Sequence, residues 1–448
     1  MLIKDKSFYK MLIGITLPIT LQNLINVAVG MADTLMLGQL GEVELSASAL
    51  SGQLFFIFLV VNFGLGGGSS ILISQYWGKQ DVTKIRTIIG IMYKVSMSLS
   101  IIFILIALCI PRQFIGIFTD DIRVINLGEN YLRIISIGYI FYSLTNCTVM
   151  AFRSVKTVNI SIVIYGLSLF INIFLNWIFI FGNLGAPELG VIGAAIATVI
   201  ARITEFTIVL IYIKFFDKKI RLNLDIFKTT DKDLRNDFII TTTPVVINEL
   251  IWSIGSAMIT VIVGRLGTEV VAANSIGNVV NQFVTVFIYA LSGAASVIIG
   301  NTIGAGEYQK TKDASFTIIF CITILGVLAG IIVFISRSFV VSFYNVSELT
   351  KTFAMQIMLV NSFIICFQAV ANTTNVGMLR AGGDVKFVLI NDLIFMWLIA
   401  IPVGFIGAFV WGLPVIAVFC IIRIDEILKS TCAIIRLLSF KWIRNMTR

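Results

Sequence analysis

Twelve apolar runs long enough to cross a ~30 Å hydrocarbon core recur along the chain, separated by polar stretches. They lie near 12–37, 47–76, 88–110, 128–152, 158–182 and 189–213, then 239–263, 272–302, 314–336, 353–379, 386–409 and 411–435. The pattern predicts an all-α polytopic membrane protein with 12 transmembrane helices. The only substantial linker is 214–238, polar and basic. It separates an N-terminal six-helix lobe over 1–213 from a C-terminal six-helix lobe over 239–448.

Composition removes the soluble alternatives. Of 448 residues, 58% are hydrophobic and 13% charged, against ~45–50% and ~25% in soluble domains. The same hydropathy excludes disorder. Six cysteines (Cys109, Cys147, Cys321, Cys366, Cys420, Cys432) stand singly in apolar runs without bridge or metal spacing. Lys4, Lys6 and Lys10 precede a long apolar segment with no small-residue cleavage site, so no secretory signal is expected.

The net charge of +9 is a topology signal rather than a nucleic-acid footprint, because it is sorted by side. One set of alternate loops holds Lys4, Lys6, Lys10, Lys79, Lys84, Arg86, Lys94, Arg153, Lys156, seven residues in 214–235, Lys310, Lys312, Arg380, Lys386 and five from Lys429 onward. That is 25 of the 33 basic residues. The opposite side has Arg112, Arg123, Arg265, Arg337 and Lys351, while Arg133, Arg202 and Arg423 fall within spans. The positive-inside rule then puts both termini and the linker in the cytoplasm.

The chain also contains itself twice. A shift of 226 residues brings Pro18 onto Pro244, Thr34 onto Thr260, and Gly38-x-Leu40-Gly41 onto Gly264-x-Leu266-Gly267. It also brings Ala47 onto Ala273, Gly67 onto Gly293 and Gly78 onto Gly304. At 227, Arg153 falls on Arg380; at about 221, Arg202-x-x-Glu205 falls on Arg423-x-x-Glu426. Six spans per half make these parallel repeats, a transporter architecture with sites near the repeat interface. A relic of duplication in a channel or enzyme is the alternative.

Ionisable residues inside spans are costly and are functional candidates by default. Asp33 lies near the outer end of span 1 and shares a helical face with Gln22 and Asn26; the bland reading is a surface acid at a misplaced helix end. Glu249 lies about ten residues, roughly 15 Å, into span 7, with no cation beside it in sequence. Its carboxylate is a candidate for proton exchange or for holding a hard cation; the alternative is a carboxyl hydrogen-bonded in a helix crossing. Arg202/Glu205 and Arg423/Glu426, three residues apart, read as structural ion pairs common to both lobes. Asp392, with Asn391 beside it, fits either a cavity or the inner interface.

Uncharged stripes point to a polar cavity, although asparagines can simply join helices. Span 5 carries Tyr165, Ser168, Asn172 and Asn176; span 8 carries Asn274, Asn278 and Asn281; span 10 carries Asn361, Gln368, Asn372 and Asn375. Asp33 aligns with Ile259 and Glu249 with Asn23, so the scaffold is duplicated but its charges are not. Gly64-x-Gly66-Gly67-Gly68 lies inside span 2 without the strand of a dinucleotide site, which favours close helix packing. There is no Walker A motif, so direct ATP drive would need another subunit; the absence of histidine removes His-ligated zinc, and no protease arrangement stands out.

The chain resembles the multidrug and toxic compound extrusion (MATE) family over nearly its whole length. The resemblance rests on Pro18…Ala32-Asp33-Thr34…Gly38-Gln39-Leu40-Gly41, Gln75-Tyr76-Trp77-Gly78-Lys79 and Phe179-Ile180-Phe181-Gly182…Gly190-Val191-x-Gly193-Ala194-Ala195. In the second half it rests on Pro244…Asn248-Glu249, Ile299-Gly300-Asn301…Gly304-Ala305-Gly306-Glu307 and Leu379-Arg380-Ala381-Gly382-Gly383-Asp384. It implies two lobes forming a V-shaped central cavity, and cation-driven export of organic, often cationic amphiphilic compounds. By motif, Asp33 matches the family's span-1 acid, and Asn172, Asn176 and Thr198 match the polar positions around it. Asn176 stands where many members have Asp, Ala369 stands near a span-10 acid of sodium-linked members, and Glu249 resembles the Asn-Glu pair of a bacterial subgroup in which Asp392 also fits.

The expected protein is therefore a secondary antiporter for small organic cations, coupled to H⁺ or Na⁺ through Asp33, Asn172, Asn176, Thr198 and Glu249. Gln22, Asn26, Asn274, Asn278, Gln368, Asn372 and Asp392 are the candidate cavity residues. No cofactor is expected, and Na⁺ at Asp33 or Glu249 is the one metal ion considered. The setting is a bacterial plasma membrane, with the chain acting as a monomer in the lipid bilayer and no nucleic-acid partner. A lipid-linked sugar or lipid flippase and a passive channel remain the alternatives.

Overall fold

The structure, a computed structural model, describes residues 2–227, 231–344 and 346–448. The stretch 228–230 of the expected linker, with Lys228 of the basic count, lies outside the described residues. Every regular element among the described residues is helical. The first repeat comprises α1 (Lys6–Gly38), α2 (Glu42–Gly78), α3 (Val82–Cys109), the short α4 (Pro111–Gly116), α5 (Ile122–Ile135), α6 (Gly138–Ser154), α7 (Asn159–Phe181) and α8 (Gly190–Phe215). The second comprises α9 (Lys232–Gly264), α10 (Thr268–Gly304), α11 (Tyr308–Ser342), α12 (Glu348–Asn372), α13 (Val385–Asp392), α14 (Ile401–Phe409), α15 (Val415–Ile422) and α16 (Ile424–Leu438).

The duplication is visible in the helix bounds. Helices α1 and α9 each have 33 residues and an internal proline, Pro18 or Pro244. Helices α2 and α10 each have 37 residues. All four ends of the second pair of helices lie 226 residues after those of the first. Local chemistry sets other boundaries. The Asp81 carboxylate accepts from the Lys84 amide at 3.1 Å and caps α3. Gly182, with φ of 70°, ends α7 in the left-handed conformation that glycine adopts without penalty.

Ten helical spans among the described residues are long and apolar enough to cross a membrane. The pair α5 and α6, bent by 49°, makes an eleventh. The twelfth apolar run is covered by α15 and α16, which separate at Arg423 and carry Asp425, Glu426 and Lys429 immediately afterwards. Two stretches are π-helical, Thr373–Leu379 after α12 and Leu393–Ala400 after α13. Such segments are rare and cluster at functional sites.

The helices divide into two compact units that do not follow the repeat boundary. One holds residues 2–20, Ser74–Gln80 and Ile247–Arg448; the other holds Leu21–Ile73 and Asp81–Val246. Close backbone crossings give the reason. A Cβ on Gly64 would lie 2.7 Å from Val246 Cα, and one on Gly68 2.6 Å from Thr242 Cα. The glycine cluster of α2 thus lets the start of α9 into the second unit, as the packing reading expects. In the first unit, a Cβ on Gly304 would run into the Gln75 carbonyl.

Each unit has its own core and ties. Phe58 stacks on Tyr139 at 4.9 Å in a cluster with Leu54, Ile115 and Leu132. The expected linker is held against its unit: Arg86 Nε donates to the Ile220 carbonyl at 2.7 Å, and Lys219 Nζ to the Val155 carbonyl at 2.9 Å. Burial, and then the neighbouring Lys156, lower the Lys219 pKa from the ordinary lysine value. In the other unit the C-terminal segment is fastened by Gln75, which donates to the Ala381 carbonyl at 2.9 Å and accepts from the Met446 amide at 2.7 Å.

Candidate functional site

Two polar constellations occupy the interiors of the two units, and they are built differently. In the unit formed mainly by the first repeat, α7 turns Asn172 and Asn176 inward, four residues apart on one face. Both are buried. Asn176 Nδ2 donates to Asp33 Oδ1 at 2.6 Å and to Asn172 Oδ1 at 3.3 Å, and Asn172 Nδ2 reaches Thr198 Oγ1 at 3.4 Å. Asp33, Asn176, Asn172 and Thr198 therefore form one chain across α1, α7 and α8. Asn176 Oδ1 is buried and has no hydrogen-bond partner.

No salt bridge involves Asp33 among the described residues. In the same unit the Arg202 guanidinium is committed to Glu205 at 2.7 Å. Glu205 also accepts from Ser168 Oγ at 2.6 Å and is 1% exposed. The Tyr142 ring lies 5.2 Å from the Arg202 guanidinium. The Arg202/Glu205 ion pair thus closes within α8. Gln22, buried in the same unit, accepts from Arg153 Nη2 at 3.0 Å, whereas Asn26 is exposed.

In the other unit the carboxylates are bridged by cations. Glu249 Oε1 receives Arg380 Nη1 at 2.6 Å. Arg380 Nη2 donates to Asn248 Oδ1, and Asn248 Nδ2 donates to Asp392 Oδ2 at 2.8 Å. Asp392 Oδ1 lies 3.3 Å from Lys429 Nζ, which lies 2.8 Å from Asp425 Oδ2. The result is an alternating ionic relay from α9 through the ends of the two π-helical stretches to α16. Glu249 thus has a cation, from a residue 131 positions away.

Arg423 and Glu426 do not make the pair that their spacing suggested. Three residues apart on a continuous helix, the two side chains would meet, but the backbone at Arg423 (φ −103°, ψ −1°) separates α15 from α16. Arg423 Nε is buried without a partner. Both residues line a cavity of about 130 Å³ together with Asn274, Asn278, Gln368 and Trp252. Asn372, the last residue before the π-helical turn, is not among its lining residues.

The residues that sequence reasoning did not assign are Arg380, Asn248, Lys429 and Arg153. A signal for the first two was present. The shifts that align Arg153 with Arg380 and Gln22 with Asn248 describe one contact made twice. No group of three or more Cys, Asp and Glu able to hold a metal ion occurs among the described residues. The oxygens along the Asp33 chain are the Asp33 carboxylate, the Asn176 and Asn172 amide oxygens and Thr198 Oγ1, hard ligands of the kind that suit an alkali cation.

Comparison with known proteins agrees with this architecture. The MatE family model matches residues 18–178 and 244–406. The chain is 26% identical over 445 residues to "Probable multidrug resistance protein NorM" of Thermotoga maritima, covering 97% of this chain and 93% of that one. It is 24% identical over 409 residues to "Multidrug resistance protein NorM" of Vibrio cholerae, covering 88% and 86%. A solved multidrug resistance MATE family transporter of the MOP superfamily, in an outward-facing conformation, superposes with a TM-score of 0.86 at 19% identity, with 96% of each chain covered.

Proposed function

The chain belongs to the MatE family of multi-pass membrane transporters, and from that premise we propose that it is a secondary antiporter for small organic, cationic amphiphilic compounds. Multidrug export is what the names of the relatives from Thermotoga maritima and Vibrio cholerae suggest for it. The setting we propose is the bacterial plasma membrane, with both termini cytoplasmic and the chain working as a monomer. Asp33 is the coupling residue in this reading, exchanging H⁺ or Na⁺ against the exported compound.

The observation that carries the reading is a carboxylate held by a single amide, that of Asn176, whose own buried oxygen has no partner. An Asn side chain presents a donor at one end and an acceptor at the other. With Asp33 ionised, Asn176 turns its NH₂ to the carboxylate. When Asp33 takes a proton or an alkali cation, the same amide can rotate and offer Oδ1 instead, which gives either state a partner. Coupling follows if the two states favour different conformations of the transporter, since a ligand shifts an equilibrium only through differential affinity. Glu249 is instead paired with Arg380 at 2.6 Å, and we assign it to the architecture of its unit.

Dye efflux in proteoliposomes, driven by an imposed pH gradient or an imposed sodium gradient, tests this. One of the two gradients should drive accumulation against the dye's own gradient. Asp33→Asn should reduce that flux to the level seen without a gradient, with yield and monodispersity unchanged. Gradient-driven efflux at wild-type rate in the variant would remove Asp33 from the mechanism.

A further inference from the structure

We propose that the second repeat carries a small-molecule site of its own, selective for compact zwitterions that bear both an ammonium and a carboxylate group. The site is the cavity of about 130 Å³ beside the break between α15 and α16. It goes beyond the ion-coupled export reading and does not depend on it.

The comparison within the molecule makes the case. Arg202 and Glu205 close on each other at 2.7 Å, with Ser168 completing the acid. Their repeat counterparts, Arg423 and Glu426, have the same spacing but are held apart by the helix break, and both face the cavity. Arg423 is left with a buried Nε that has no partner. Glu426 has no ion pair and no side-chain hydrogen bond among the described residues. The neighbouring Asp425, which also lines the cavity, is bonded to Lys429 at 2.8 Å and makes no salt bridge with Arg423 among the described residues.

A charge taken partly out of water without a partner is costly, and here two half-buried groups of opposite sign, Arg423 and Glu426, line a single small cavity. A cation alone would satisfy Glu426 and meet the field of Arg423; an anion alone would satisfy Arg423 and meet Glu426 and Asp425. A ligand with a carboxylate for the Arg423 guanidinium and an ammonium for Glu426 answers both. Asn274, Asn278 and Gln368 supply amide donors and acceptors along the wall, and Trp252 an apolar face. At about 130 Å³ the cavity is small and largely polar-walled, which suits a compact polar ligand.

Equilibrium dialysis of the purified full-length protein with radiolabelled L-valine tests the proposal, with isobutylamine and isovalerate as competitors that retain one charge each. Valine should bind saturably, and each competitor should be at least ~10-fold weaker, the scale of one charge-assisted hydrogen bond. Arg423→Gln and Glu426→Gln should each weaken valine binding by a similar factor. No saturable valine binding would overturn the proposal. So would isobutylamine competing as well as valine, which would mean a plain cation site, or binding that neither substitution changes. If neither variant folds, the ranking of valine against its two analogues on the wild-type protein decides.

Discussion

The two repeats make the same contact with different charges around it. In the first, Arg153 donates to Gln22; in the second, Arg380 donates to Asn248. The residue after each amide differs: Asn23 in one repeat, Glu249 in the other. The second repeat carries an ionic relay, running Glu249, Arg380, Asn248, Asp392, Lys429, Asp425. The first repeat keeps its acid, Asp33, away from any salt bridge and within a chain of amides. Packing contacts survive duplication because the backbone depends on them, whereas charges can diverge as long as each buried one finds a partner. A carboxylate clamped by a guanidinium is poor material for a switch, and one held by a neutral amide is better suited to changing its occupant.

The sharpest way to break the comparison is to remove the clamp. Arg380→Met should leave Glu249, 13% exposed, without its cation, and Asn248 Oδ1 without its donor. The expected destabilisation is about 3–5 kcal/mol, the range for a buried pair stripped of one member, read as lost yield and a lower unfolding midpoint in detergent. Adding Glu249→Gln to that variant should restore most of the loss, since removing both charges of a buried pair is often close to neutral. Failure of the rescue would mean that Arg380 acts through Asn248 and not through Glu249.

The matching substitution in the first repeat should be milder. Arg153→Met removes a hydrogen bond to Gln22 but strands no carboxylate. The expected cost is about 1–2 kcal/mol, that of one charge-assisted bond and one acceptor left unsatisfied. Equal losses for Arg153→Met and Arg380→Met in the same unfolding assay would show that the acid at Glu249 adds nothing, and the contrast between the repeats would disappear.

What could be read from the chain follows the range of the interactions involved. Apolar runs and the 226-residue shift are properties of consecutive positions, and the helix bounds of α1, α2, α9 and α10 obey them residue for residue. That Asn172 and Asn176 share one face of α7 was legible from their spacing, but their grouping with Asp33 came through family resemblance. Thr198 came only through family resemblance. Helix counting failed where the helix itself departs from 3.6 residues per turn. The span-10 stripe is split by the π-helical turn at Thr373–Leu379, so Gln368 lines a cavity while Asn375 is buried against Asn391. The Arg423/Glu426 pair failed for a related reason, a break that no Pro or Gly at Arg423 announces. The cation on Glu249 was missed because it is a contact between distant helices, which spacing along one helix cannot reveal.

The smallest expected effect tests the origin of the asymmetry by transplanting it. Asn23→Glu puts a carboxylate at the first-repeat position that corresponds to Glu249, on the helix that already presents Gln22 to Arg153. If the repeats are equivalent here, Arg153 is placed to clamp the new acid, and stability should stay within about 1 kcal/mol of wild type, because the new pair offsets its own desolvation. In an Arg153→Met background the same Asn23→Glu change would bring in a carboxylate with no cation, and the loss should exceed the sum of the two single changes. That excess, read from a double-mutant cycle on the unfolding midpoint, measures the coupling between positions 23 and 153 directly. Simple additivity would mean that the two repeats hold their arginines in different geometry, and that the relay of the second repeat needs more than one substitution to begin.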